Sequence, residues 1–143
     1  SETVAKFTDA SGENIARGAI MARKLGTNLA DTASAAESML DFQTAIEDAM
    51  TASVMIGRDI NVQKLQELSL AGDLEGVSKE QRRLLGDQSD FLSMNVLQRE
   101  ALSKAVGLSV DQAAKFINKE KEAVTLAKCL NGLWDLLIQY LAG

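Results

Sequence analysis

The chain has 143 residues, a formal net charge of −5, no His, no Pro and a single Cys. This length is enough for about one domain, and without His the chain lacks the side chain most used for proton transfer near neutral pH and for binding metals. The single Cys129 excludes an internal disulfide and any zinc site built from several cysteines.

One short pattern, an apolar residue followed by Gly and then by a polar helix-capping residue, occurs five times. Its glycines are Gly26, Gly57, Gly72, Gly86 and Gly107. Each Gly can adopt the left-handed conformation that ends a helix. The residues able to cap the helix that follows are Asn28, Asn61, Asp73, Asp87 and Ser109. The pattern predicts an all-α protein of six or seven helices joined by short Gly-containing turns, arranged as a helical bundle or an array of hairpins.

Along the chain, residues 1–10 predict a short helix, and Ser11 is expected to cap a second helix that ends at Lys24. The longest helix is expected over residues 31–56. One face of it is predicted to be buried, because apolar or small residues follow each other at steps of three and four. These residues are Leu29, Ala33, Ala36, Met39, Phe42, Ile46, Ala49 and Ser53. Met50, Val54 and Ile56 widen this face, so we expect a second neighbouring helix to pack there.

Shorter helices are expected over residues 62–71 and 74–85, and residues 87–94 are expected to form a loop or a bent turn. Asn95 and Gln98 have the spacing of a capping box, in which each side chain bonds the backbone of the other residue. Ser109 and Gln112 repeat that spacing. The final long helix is expected to run towards Leu130 and to break or kink at Asn131-Gly132.

The last segment, residues 126–141, is the most hydrophobic. Alternating steps of four and three residues connect Leu126, Leu130, Leu133, Leu137 and Tyr140, with Trp134, Ile138 and Leu141 alongside. This spacing is typical of a coiled-coil or bundle seam. Only Lys128 and Asp135 are charged, which disfavours a membrane-surface helix. We predict that this helix contacts other copies of the chain through Leu133, Trp134, Leu137 and Leu141, and that Cys129 is an inert packing residue.

Enzymatic motifs are absent from the sequence. No Gly is followed by the Lys and Ser or Thr of a phosphate-binding loop, and the Glu and His pairs of a di-metal bundle cannot occur without His. We therefore expect no enzyme, cofactor, metal site or small-molecule substrate. Crossing a bilayer as a helix needs about 20 consecutive, mostly apolar residues. The sequence contains no such run. Because the chain begins at Ser1, we expect it to be a processed product or a fragment of a longer chain.

One stretch has the layout of a DNA-binding module. Residues 98–120 predict a helix, a turn containing Gly107 and a second helix, as in a helix-turn-helix DNA reader. However, the local charge between Gln98 and Lys128 is only +2, from six bases and four acids. In addition, Asp111 stands where the second helix would face phosphates. The alternative function is DNA binding by this hairpin. The charge and Asp111 favour a hairpin that does not bind DNA.

Several segments resemble the tail tape measure proteins of tailed bacteriophages. These are Leu70-Ala-Gly-Asp-Leu-Glu-Gly-Val77, Leu85-Gly-Asp87, Met94-Asn-Val-Leu-Gln-Arg-Glu-Ala-Leu102 and Ala105-Val-Gly-Leu-Ser-Val-Asp-Gln112. The earlier Lys24-Leu-Gly-Thr-Asn-Leu29 and Ile56-Gly-Arg-Asp-Ile-Asn61 are also similar to that family, so the resemblance covers roughly residues 20–125.

The resemblance implies a long helical protein packed in several copies inside the tail tube. The length of such a protein sets the length of the tail, and it leaves the tail ahead of the DNA. The partners implied are other copies and proteins of the tail tube or tail tip. The location implied is the virion tail, assembled in the bacterial cytoplasm.

Overall fold

The structure, a computed structural model, describes residues 1–142, without the side chains of Lys121, Ala123 and Val124. Gly143, the last residue of the predicted single module, lies outside the described residues. Within residues 1–142 there is no strand and there are nine helices. They are α1 (Glu2–Phe7), α2 (Glu13–Leu25), α3 (Leu29–Met39), α4 (Phe42–Ile56), α5 (Gln63–Leu70), α6 (Leu74–Leu85), α7 (Gln88–Ser93), α8 (Val96–Ala105) and α9 (Val110–Ala142). The all-α prediction is confirmed, whereas the predicted count of six or seven helices is wrong.

The five glycine joints are confirmed. All five glycines have positive φ, between 72° and 91°, so each occupies the region that disfavours side chains. Asn28, Asp73 and Asp87 each accept a hydrogen bond from the first turn of the following helix. The predicted cap Asn61 lies one residue before the cap position of α5, which Val62 holds, and its side-chain oxygen accepts a hydrogen bond from the Gln63 amide.

The predicted capping boxes are also present. Asn95 and Gln98 bond each other's backbone amides at the start of α8. Ser109 and Gln112 do the same at the start of α9, with distances of 2.9 and 3.1 Å. Ser11 was expected to be the cap residue of α2, but Gly12 holds that position. The Ser11 hydroxyl still accepts a hydrogen bond from the amide of Glu13, the first residue of the helix.

The predicted long helix over residues 31–56 is wrong, because the chain turns at Leu40 and Asp41 and forms two helices. The Asp41 carboxylate accepts hydrogen bonds from the Thr44 amide at 3.3 Å and from the Thr44 hydroxyl at 2.9 Å. Asp at this position satisfies amides that a new helix leaves free. After the break the buried face of α4 consists of small residues, Ala45, Ala49 and Ala52.

Two further expectations are corrected. Residues 87–94, expected as a loop or bent turn, contain the short helix α7, because Asp87 caps it and Phe91 anchors it in the core. The expected break at Asn131-Gly132 is wrong, because α9 continues as a helix through both residues. A Gly inside a helix costs only about 1 kcal/mol, and Gly132 does not adopt positive φ.

Helix α3 lies at the centre of the fold and contacts α1, α2, α4, α5 and α6. Its buried residues are mostly small: Thr32, Ala33, Ala35, Ala36 and Met39. Helices α2 and α6 form the most extensive helix pair. They meet at Gly18, where an added Cβ would lie 2.8 Å from the Cβ of Leu74. Small residues therefore let α2, α3 and α6 approach each other closely.

One side chain connects three separate segments. The Asn14 amide nitrogen donates to the carbonyl of Phe7 at 2.6 Å and to the carbonyl of Gly72 at 2.9 Å, and the Asn14 oxygen accepts from the Asp9 amide at 3.1 Å. These bonds join the end of α1 and the start of α2 to the α5–α6 joint.

We predict that Gly18→Ala lowers the free energy of unfolding by about 1–2 kcal/mol. Overpacking against Leu74 costs about 1–3 kcal/mol, which exceeds the gain of up to about 1 kcal/mol from replacing a helical Gly. Gly132→Ala is the matched control, because nothing lies within 4 Å of an added Cβ there. Urea denaturation of both variants measures the effect. A Gly18→Ala protein as stable as the wild type would contradict the packing described.

We predict that Asn14→Asp destabilises the fold by about 2 kcal/mol, because a carboxylate cannot donate to the two carbonyls and leaves both unsatisfied. Asn95→Asp is the control, since Asn95 only accepts a side-chain bond as a cap and Asp caps equally well. Thermal and urea unfolding of the two variants should separate them. Equal stabilities would show that the Asn14 bonds contribute nothing.

Candidate functional site

The last half of α9 extends away from the other helices. The first half is packed on them through Ala113, Phe116 and Ile117, and Glu120 forms an ion pair with Arg82 of α6. From Thr125 to Ala142 every residue is exposed. We call this exposed part, residues 125–142, the α9 extension. At 1.5 Å per residue it is about 27 Å long.

The α9 extension carries large apolar side chains that contact no other part of the described chain extensively. All four residues predicted for self-association are among them, with exposed fractions of 64% for Leu133, 62% for Trp134, 46% for Leu137 and 75% for Leu141. The others are Leu126, Leu130, Leu136, Ile138 and Tyr140. Cys129, predicted to be packed, is exposed on the same helix; no neighbouring helix covers it within the described residues.

These residues share one side of the helix. At about 100° per residue, the apolar residues between Leu126 and Leu141 span an arc of about 200°. The opposite side holds Lys128, Asn131, Asp135 and Gln139. The charges of Lys128 and Asp135 cancel, so the α9 extension has no net charge. A two-helix coiled coil buries a narrower stripe than this, so the arc fits contact with more than one neighbouring surface.

The exposed area is sufficient for a stable interface. The nine large apolar residues of the α9 extension expose on the order of 1,000 Å², taking about 200 Å² for a fully exposed large residue. A standard protein interface buries about 800 Å² on each partner. Monomeric proteins rarely expose an apolar patch larger than a few hundred Å².

A second exposed apolar surface lies on α4. The predicted buried face is confirmed at Ala33, Ala36, Met39 and Ala49 and wrong at Phe42 and Ile46. Phe42, Ile46, Met50 and Val54 are 44–84% exposed. They follow each other every four residues, which places them in one row along the helix. We call this row the α4 ridge. The second neighbouring helix expected at Met50, Val54 and Ile56 is α8, which packs on another side of α4. Ile56 is packed against the core, whereas no helix of the described residues covers Met50 and Val54.

A groove runs beside the α4 ridge, between α4 and the start of α5. Its volume is about 500 Å³, and it is lined on the α4 side by Ile46, Met50 and Val54 and on the other side by Ile60 and Val62. At one end, Gln66 bonds the Phe42 carbonyl, and at the other, the Ser53 hydroxyl accepts from the Ile60 amide. An apolar cavity of about 150 Å³ accommodates a benzene-sized group, so the groove has room for several large side chains.

Several titratable side chains bond other residues of the fold. Buried Glu80 accepts two bonds of 2.7 Å from Arg83, and this hydrogen bonding raises the pKa of Arg83. The Ser11 hydroxyl lowers the pKa of Asp9, whose carboxylate holds the loop before α2. Among the described residues, no group of three or more His, Cys, Asp or Glu is placed to hold a metal ion.

Residues 98–120 form a hairpin of α8, the Gly107 turn and the start of α9. Its inner face is buried at Leu102, Ala113 and Phe116. The joint at Gly26 lies close to the backbone of α9, because an added Cβ there would be 2.7 Å from the Lys115 carbonyl oxygen. The α2–α3 joint therefore occupies part of the side of α9 that carries Lys115 and Lys119.

Within residues 1–142, none of the helices has the length and apolar character that crossing a membrane requires. Comparisons with protein family models, with curated protein sequences and with solved structures found no match to this chain.

Proposed function

We propose that this chain is a non-enzymatic structural module that assembles with other copies of itself through the α9 extension. The observation that supports this proposal is the apolar arc, which exposes about as much area as a standard interface needs on a helix that leaves the body after Glu120. Exposed apolar patches of this size are rare on monomeric proteins and mark sites of interaction.

Protein is the partner that the chemistry of the α9 extension favours. Helices that lie on membrane surfaces carry several Lys or Arg on the polar side, and this one has only Lys128, opposed by Asp135. Binding to a DNA duplex needs several Lys or Arg side chains that neutralise phosphates. The α9 extension lacks these as well.

We further propose, from the resemblance of residues 20–125, that the chain is a portion of a phage tail tape measure protein. Its partners would then be other copies and proteins of the tail tube or tail tip, and its location the virion tail. Helices joined by short glycine turns and packed through Ala and Gly are compatible with such a structural role.

We predict that Leu137→Asp weakens self-association at least tenfold, because a carboxylate at the centre of the apolar arc resists burial. Burying a Leu is worth about 1.5–3 kcal/mol, and about 1.4 kcal/mol corresponds to tenfold. Light scattering over a range of concentrations measures the mass, against 15.4 kDa for one chain.

Gln139→Asp is the matched control for that experiment. It replaces a good helix former by the same acid two residues away, but on the polar side of the α9 extension. We expect it to assemble as the wild type does. A wild-type protein that stays monomeric at all concentrations, or a Leu137→Asp protein that assembles normally, would refute assembly through this helix.

The tail role predicts a change in tail length. If the parent protein sets that length, deleting these 143 residues in frame should shorten the tail. The shortening should be less than about 210 Å, the length of 143 residues in one continuous helix, because the helices of the body pack side by side. A tandem duplication should lengthen it. Electron microscopy of the virions measures both, and tails of unchanged length in both variants would contradict the tape measure proposal.

A further inference from the structure

We propose that the α4 ridge and its groove receive the α9 extension of a second copy, so that copies join head to tail. This inference rests on the proposed self-assembly and adds the surface that accepts the helix. The two surfaces lie on different parts of one molecule, and neither is covered within the described residues.

The two surfaces match in length and pattern. The α4 ridge from Phe42 to Val54 is about 18 Å long, and the apolar arc from Leu126 to Leu141 is about 22 Å long. Both present rows of side chains spaced by four residues. Rows of this kind pack between each other when two helices cross at about −50°, the commonest crossing in globular proteins.

The groove accounts for the width of the apolar arc. A helix lying between α4 and the start of α5 contacts two walls, one at Ile46 and Met50 and the other at Val62. Two walls cover a wider arc than one partner helix does. The small Ala49 and Ser53, which also line the groove, leave space for Leu or Trp side chains from the incoming helix.

Charge favours this partner over a second copy of α4. Between Leu25 and Gly57 the chain has five acids and no Lys or Arg. Glu47 borders the α4 ridge and Asp59 lines the groove. Pairing two α4 ridges would bring these carboxylates together, which is unfavourable. The α9 extension has no net charge, and its apolar arc brings no carboxylate against these acids.

The accepting surface is smaller than the donating one. The four residues of the α4 ridge expose on the order of 400–500 Å². The groove adds little to this area, because Ile60 and Val62 are only 4% and 3% exposed, so the α4 ridge can cover about half of the apolar arc and the contact is below the roughly 800 Å² per partner of a standard interface. Because the donating and accepting surfaces differ, the contact is heterologous, and each added copy offers a new accepting surface. Such a contact produces open chains of copies, or rings when the geometry closes.

The test uses two variants, each lacking one half of the contact. Leu137→Asp removes the donating helix, and Val54→Asp, at a side chain that is 84% exposed, removes the accepting ridge. We expect each variant alone to be monomeric and an equimolar mixture to form a dimer of one copy of each. The mixed dimer retains one intact contact, between the α9 extension of the Val54→Asp copy and the α4 ridge of the Leu137→Asp copy.

Thr51→Asp is the matched control for the accepting side. It also replaces an exposed β-branched residue of α4 by Asp, but Thr51 does not line the groove. We expect it to assemble as the wild type does. Sedimentation of the single proteins and of the mixture, with one variant fluorescently labelled, measures the masses.

The outcomes separate the two proposals. If Val54→Asp assembles normally while Leu137→Asp is monomeric, or if the mixture stays monomeric, the head-to-tail contact is refuted and self-assembly through α9 alone remains. If Leu137→Asp itself assembles normally, the proposed function is refuted as well.

Discussion

The close approach of α2 and α6 at Gly18 is the packing constraint on which the body of this protein depends. Leu74 occupies the space where a Cβ would be, so the two helices can adopt this distance only with Gly at that position. The same rule extends to α3, which is covered by other helices because its buried residues are small. Small side chains let the helices of the body pack closely, and the Asn14 bonds join segments that this packing brings together.

The core leaves some large apolar residues outside. The large apolar side chains of the α4 ridge and of the α9 extension do not fill the interior, and the fold leaves them in rows on the outside. Exposed apolar rows of this size are typical of interaction sites. The molecule thus combines a body stabilised by close contacts of Ala and Gly with two outer surfaces suited to another protein. Self-assembly through the α9 extension and its contact with the α4 ridge both use these outer surfaces. Neither requires any reaction chemistry.

Local signals made much of the chain predictable. The glycine joints and the capping boxes depend on a few neighbouring residues, so they could be read without knowledge of the fold. The turn at Asp41 was missed because the apolar spacing continues across it from Met39 to Phe42, and periodicity cannot distinguish one long helix from two. The α4 ridge was assigned to the core for the same reason. Its strict spacing of four, beside the Ala residues at 45, 49 and 52, was the available signal.

The sequence by itself determined the helical class, the joints, most of the caps and the apolar arc of the last helix. These follow from backbone conformation and from residues within one or two turns of each other. Only the tertiary structure decided that α4 turns its Ala face inwards and that α9 continues past the body without a neighbour. Those outcomes depend on which helices meet, because the same apolar residue is buried or exposed according to what packs against it.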